Sequence, residues 1–167
     1  MRPTRTTELE RVVREHECAV GNFLRRRLYP LSDSDLDDLV AETFTIVWRR
    51  FDAVPHDAEL AWIIGVARNV LHNAQRARRR RNNYEGAVTP PATTASTEDV
   101  VVADARVRHA LTSLRDDERE VLLLHAWDGL SVTDVARVLG VSPDAAAVRL
   151  SRVRHRFRAF YEEWDES

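Results

Sequence analysis

The chain has 167 residues, 44% of them hydrophobic and 31% charged, with a formal net charge of −2. That is enough for one ordinary domain or two small ones, and it excludes an intrinsically disordered chain. No apolar run approaches the ~20 residues needed to span a bilayer, and the opening Met1-Arg2-Pro3-Thr4-Arg5 leads into charge and not into a signal-peptide core. A cytoplasmic protein without membrane insertion is expected.

Helical periodicity runs from about Glu8 to Arg81 and again from about Ala103 to Tyr161, and no stretch alternates as a strand. In the first helix, Cys18 is the only cysteine of the chain. It excludes an intrachain disulfide and a thiolate cluster, and is expected as a small buried filler. The six histidines show no metal-ligand spacing, and His16, Glu17 and Cys18, being adjacent, point in different directions. Neither a metal nor a cofactor is expected.

Next comes an acidic segment, Asp33–Glu42, and a helix read over Asp37–Phe51. Leu36, Val40, Phe44, Val47 and Phe51 share one narrow apolar face, with Leu39, Ile46 and Trp48 flanking it and Asp38, Glu42 and Arg49 opposite. A following helix, about Glu59–Arg80, directs Leu60, Ile63, Ile64, Ala67, Leu71 and Ala74 inward and Trp62, Asn69, Asn73, Arg76 and Arg80 outward. An outward tryptophan in line with amides and arginines suits single-stranded nucleic acid: the indole stacks on a base, amides read base edges, and guanidinium groups hold phosphate. The alternative is that Trp62 packs on a neighbouring helix and the arginines are merely solvated.

All 25 basic residues are arginine. A P-loop lysine, a Schiff-base lysine and a Ser-Lys dyad are thereby excluded. From Arg68 to Arg81 there are six arginines and no acid, and from Ala145 to Phe160 five arginines and no acid. Between the helical halves, Asn82 to Thr97 carries paired prolines with Thr, Ala and Ser, which reads as a linker. A tether of that length averages roughly 20–25 Å end to end and stretches beyond about 50 Å.

In the second half, Arg115–Trp127 reads as a helix stopped at Asp128-Gly129, with Gly129 suited to a left-handed cap. Ser131 with Asp134 starts a short helix, Gly140-Val141-Ser142 turns the chain, and Ser142 with Pro143 starts a longer one. This is helix-turn-helix spacing. At about 100° per residue, Ala146, Leu150, Val153, Phe157 and Phe160 form the apolar arc. Arg149, Arg152 and Arg156 line one flank, Arg154 and Arg158 the other, while Asp144, Val148, Ser151 and His155 point away from the core. Phosphate clamps on both flanks with small reading groups at the tip suit a major groove; the alternative is an arginine-rich surface helix without function.

These residues resemble the sigma factors of bacterial transcription. Leu39-Val40-Ala41-Glu42-Thr43-Phe44 through Arg50 resembles the signature of conserved region 2, and Trp62 through Leu71 with the arginine run resembles the promoter-melting end of that region. Leu114 through Arg154 resembles region 4. The plan is similar to that of the extracytoplasmic-function class of the sigma-70 family, which has only regions 2 and 4. The resemblance implies an all-α chain of two small domains: a region 2 bundle over residues 1–81, a flexible linker over 82–102 threading the RNA exit path, and a region 4 helix-turn-helix over 103–167. It implies that Asp38, Leu39, Glu42, Ile46, Trp48 and Arg49 meet the clamp helices of the polymerase β′ subunit. Trp62, Arg68, Asn69, Asn73, Arg76, Arg79 and Arg80 would lie near the melted −10 strand, and the loop Asp52–Ala58, with Asp52 and His56, would capture a flipped base. Ser142, Asp144, Ala147, Val148, Arg149, Ser151, Arg152, Arg154 and Arg156 would read or clamp the −35 element while other surfaces of region 4 meet the β flap.

Three positions depart from the family pattern: position 147 is Ala where a basic side chain is usual, position 73 is Asn where an acid is common, and position 115 is Arg where proline is frequent. With a net negative charge, weak DNA binding in the absence of core RNA polymerase is expected. The chain ends soon after the last helix, so control by a separate anti-sigma factor is expected. A dimeric operator-binding regulator is the alternative; it predicts tight duplex binding without polymerase. An enzyme is the weakest reading, because the acid pairs Asp37-Asp38 and Asp116-Asp117 are read at helix starts, where they meet the helix dipole, and no nucleophile accompanies them.

Overall fold

A computed structural model describes residues 4–28, 31–84 and 105–163, and among these every regular element is helical. The chain divides into two compact units, one holding three α-helices over residues 5–84 and the other four over residues 105–163.

In the first unit, α1 (Arg5–Arg25) starts at Thr4, whose hydroxyl accepts from the Thr7 amide at 3.3 Å, and it buries Val12, Val20, Phe23 and Leu24. This spacing keeps the apolar side chains on one stripe of the helix. The second helix, α2 (Asp33–Arg49), begins earlier than its apolar stripe suggests, because Ser32 and Asp35 close the entry turn. The Ser32 amide and hydroxyl both donate to the Asp35 carboxylate, at 2.8 and 2.7 Å, and these bonds hold that carboxyl below its ordinary range. Asp37 and Asp38 thus lie one turn inside α2, not at its start, and Asp33 and Asp35 occupy the first turn. Its buried face is Leu36, Leu39, Thr43 and Val47, rotated from the expected one; Val40 and Phe44 are only partly covered. Thr43 tolerates burial because its hydroxyl donates to the Leu39 carbonyl at 2.7 Å.

A single 3-10 turn, Phe51–Ala53, and a short loop lead into α3 (Glu59–Tyr84). Ala61, Ile63, Ile64, Ala67, Val70 and Leu71 line its core side, while Leu60 and Ala74 are half-buried. Gln75 is buried instead, its amide donating to the Arg27 carbonyl at 2.9 Å and so tying α3 to the end of α1. The helix continues through Tyr84, beyond the 81/82 boundary; the rest of the expected linker lies outside the described residues. All three helices pack on one another. Cys18, expected inside, is exposed on α1, where its sulfur accepts from Asn22 at 3.6 Å; it lies two residues before Val20 and six from both Val12 and Leu24, spacings that turn it about 120–160° away from the buried stripe at about 100° per residue.

In the second unit, α7 (Pro143–Glu163) is the central strut on which α4 (Ala105–Ser113), α5 (Asp116–Ala126) and α6 (Val132–Leu139) all pack. Leu111, Leu123, Leu124, Val135, Ala146, Leu150 and Val153 make the core. Two left-handed glycines set the turns, Gly129 at φ 71° after α5 and Gly140 at φ 66° after α6. Between α4 and α5 the device is a buried arginine. Arg119, 3% exposed, donates to the carbonyls of Leu111, Thr112 and Leu114 at 2.7, 3.3 and 2.9 Å, and to Asp116 at 3.1 Å. It satisfies the orphan carbonyls that end α4.

Candidate nucleic-acid interface

On α3, burial of the apolar stripe leaves Asn69, Asn73, Arg76 and Arg80 exposed, with Trp62, Arg68 and Arg79 half-buried beside them. The loop before α3 borders a cavity of about 240 Å³ lined by Phe51, Asp52, Val54, His56 and Glu59. The side chains of Asp52 and His56 are 90% and 91% exposed there. Glu59, at the first position of α3, is mostly covered and held from α1: Arg11 donates to it at 2.7 Å and the His16 ring lies 3.3 Å away. Arg11 also pairs with Glu8 at 2.8 Å and with Glu15. The Arg11 hydrogen bond holds the Glu59 carboxyl below its ordinary range, and the same network raises Arg11. Glu15, His16 and Glu59 bring donor atoms within 4.8 Å of one another, but the cation among them is the Arg11 guanidinium.

On α2, Asp38, Glu42, Trp48 and Arg49 are exposed and Ile46 is half-buried. Leu39 departs from its expected role: at 4% exposure it belongs to the core, because it shares the face of Leu36, Thr43 and Val47. Its backbone position is on the helix that carries the surface, but its side chain is not available to a partner. Arg5 reaches Trp48 from α1, with its guanidinium 4.9 Å over the indole and Nη2 donating to the Trp48 carbonyl at 2.7 Å.

The second unit presents α7. Ser142 is its cap, the hydroxyl accepting from the Ala145 amide at 3.1 Å. Asp144, Ala147, Val148, Arg149, Ser151, Arg152, Arg154, His155 and Arg156 are exposed, and Val148 at 48% is the most exposed large apolar side chain of the described residues. The preceding turn is built as helix-turn-helix spacing requires: the Ser131 hydroxyl accepts from the Asp134 amide at 3.1 Å, and Gly140 ends α6 in the left-handed region. The arginines are not equivalent. Among the described residues Arg149, Arg152 and Arg158 have no side-chain partner, whereas Arg156 pairs with Glu118 at 2.6 Å and Arg154 meets His125 at 2.7 Å. Sequence spacing missed Glu118, His125, Glu59 and Arg119. Asp116 and Arg119 were legible as an i, i+3 pair; the others join residues far apart in the chain, which no periodicity reports.

Two family models match the chain: sigma-70 region 2 over residues 12–81 and sigma-70 region 4 over residues 104–157. The chain belongs to the sigma-70 family. Among its relatives is the RNA polymerase sigma factor CnrH of Cupriavidus metallidurans, 27% identical over 168 residues, covering 90% of this chain and 85% of that protein. A solved structure of CnrH in complex with the cytosolic domain of CnrY matches with a TM-score of 0.63 and 27% identity, over 93% of this chain and 88% of that one. The sigma factor RpoE of Bartonella quintana, solved with the anti-sigma factor NepR, shares the fold at a TM-score of 0.62 and 22% identity, over 94% of this chain and 96% of that one. This sigma factor is of the extracytoplasmic-function class, all-α and built from regions 2 and 4; it binds core RNA polymerase and directs promoter-specific initiation of transcription. No helix among the described residues is long and apolar enough to cross a membrane.

Proposed function

We propose that this sigma factor divides promoter recognition between the two surfaces described above and acts in the cytoplasm as a non-enzymatic initiation factor. The outer face of α3, with Trp62, Asn69, Asn73, Arg76 and Arg80, engages the melted −10 strand, supported at its edges by Arg68 and Arg79. A flipped base enters the cavity beside Asp52 and His56. The face of α7 carrying Asp144, Ala147, Val148 and Ser151 reads the −35 element, while Arg149 and Arg152 clamp phosphates and Ser142 fixes the entry of the helix. Asp38, Glu42, Ile46, Trp48 and Arg49 on α2 meet the β′ clamp helices, and region 4 meets the β flap. The observation that carries this reading is the acid-free, exposed arginine flank of α7 on a capped helix-turn-helix.

An anti-sigma factor controls access to these surfaces in this reading; support comes from the related CnrH and RpoE, each solved in complex with a second protein that in the RpoE case is named as an anti-sigma factor. Run-off transcription with bacterial core polymerase tests the reading. The expected result is a discrete start only when both components are present, with a −10 opening defect in Trp62→Ala and a −35 binding defect in Arg149→Ala. Tight sequence-specific duplex binding without polymerase would favour the dimeric regulator instead.

A further inference from the structure

Arg154 and His125 are 29 positions apart in the chain, yet the arginine's Nη2 lies 2.7 Å from Nε2 of the imidazole. The other ring nitrogen, Nδ1, lies 2.8 Å from the Leu130 carbonyl. A carbonyl oxygen only accepts and a guanidinium only donates, so both contacts hold together for one species: a neutral ring with its proton on Nδ1. The ring therefore donates to Leu130 and accepts from Arg154. Leu130 is itself fixed, because it is 3% exposed, follows the left-handed Gly129, and its amide donates to the Leu124 carbonyl at 3.1 Å. The turn between α5 and α6 is thereby joined through one imidazole to the outer flank of α7.

What Arg154 faces gives this link a purpose. With Ser151, His155 and Arg158 it lines a cavity of about 320 Å³ whose far wall is Val132, the first residue of α6. A mobile arginine must lose its side-chain freedom when it grips a phosphate; one already held in place loses less. We infer that His125 is a positioning residue for promoter binding: it holds the Arg154 guanidinium at the mouth of the α6–α7 cavity, ready for a DNA phosphate. This rests on the reading of α7 as the −35 helix. Arg156 is likewise tied to α5, through Glu118, while Arg149, Arg152 and Arg158 have no side-chain partner among the described residues.

The test is a double-mutant cycle in the full chain assembled with core polymerase, read as affinity for a duplex promoter fragment selected by the wild-type holoenzyme, over a salt series. His125→Phe and Arg154→Ala are each expected to weaken binding about fivefold, and the double variant no further than Arg154→Ala alone. His125→Gln, whose side-chain oxygen can accept from Arg154, is expected to recover most of the loss, which guards against misfolding of the Phe variant. Additive losses, or a Gln variant as weak as the Phe variant, would overturn the inference. If Arg154→Ala changes neither affinity nor salt slope while the double variant Arg149→Ala/Arg152→Ala lowers both, the inference fails and the reading of α7 survives. If that double variant is also silent, the reading of α7 fails with it.

Discussion

Two side chains show how single residues carry more than their sequence position suggests. Arg119 is an arginine inside a core, and its burial is repaid by three main-chain carbonyls and one carboxylate. Truncation leaves those acceptors without donors, so Arg119→Ala is expected to destabilise the α4–α7 unit by about 3 kcal/mol. Urea denaturation followed by the fluorescence of Trp127 would register it, and a midpoint equal to wild type would rule it out. Glu59 makes a pH-dependent contribution. Its carboxyl is held below the ordinary range in the folded chain, chiefly by Arg11, so on acidification the unfolded state takes up the proton first. The stabilisation is complete above the ordinary carboxylate range and is lost as pH falls through the lower folded value. Glu59→Gln should therefore lower the stability of the α1–α3 unit at neutral pH and flatten its acid dependence; parallel stability-versus-pH curves for the two proteins would contradict this.

Among the elements, α6 and α7 depend on their turn more than on their length. Gly140 sits at φ 66°, and a Cβ built there would meet no atom within 4 Å. The cost of substitution is therefore backbone strain alone, about 1 kcal/mol for Gly140→Ala and less for Asn, which tolerates the left-handed region better. Thermal melts of the two variants should separate in that order. The row of arginines on α7 makes a further prediction. Arg149 and Arg152 lack partners among the described residues, so replacing either by Ala should reduce the salt slope of promoter binding by about 1. Arg156→Ala breaks an ion pair with Glu118, the residue whose carboxylate also accepts from the Arg115 amide at the start of α5, so its effect should fall on that helix as well.

For the whole molecule, a net charge of −2 and two separate basic stripes set the logic of partner-dependent binding. Neither stripe alone has a favourable total field behind it, and core polymerase supplies the scaffold on which both units act on one DNA molecule. The free chain should bind a promoter duplex about 10²-fold more weakly than the holoenzyme; comparable affinities in a gel-shift titration would refute that division of labour.

The sequence by itself determined the helical class, the two-part plan, the helix-turn-helix with its glycine and serine punctuation, the outward face of α7 and, apart from the half-buried Trp62, that of α3. Periodicity, capping chemistry and charge runs are local, and local signals survive in a single chain read end to end. It misjudged how far the core extends around a helix. Cys18 was expected inside and is exposed, Leu39 was placed on a binding surface and is buried, and Thr43 and Gln75 are buried polar residues that a hydropathy stripe passes over. The Thr43 hydroxyl donates to a main-chain carbonyl of its own helix, and the Gln75 amide nitrogen to one just past the end of α1. Only the tertiary structure decided which arginines are held by partners within the fold and which, among the described residues, are not. Glu118, His125 and Glu59 find their partners 29 to 48 positions away, and proximity of that kind is created by packing, not by spacing.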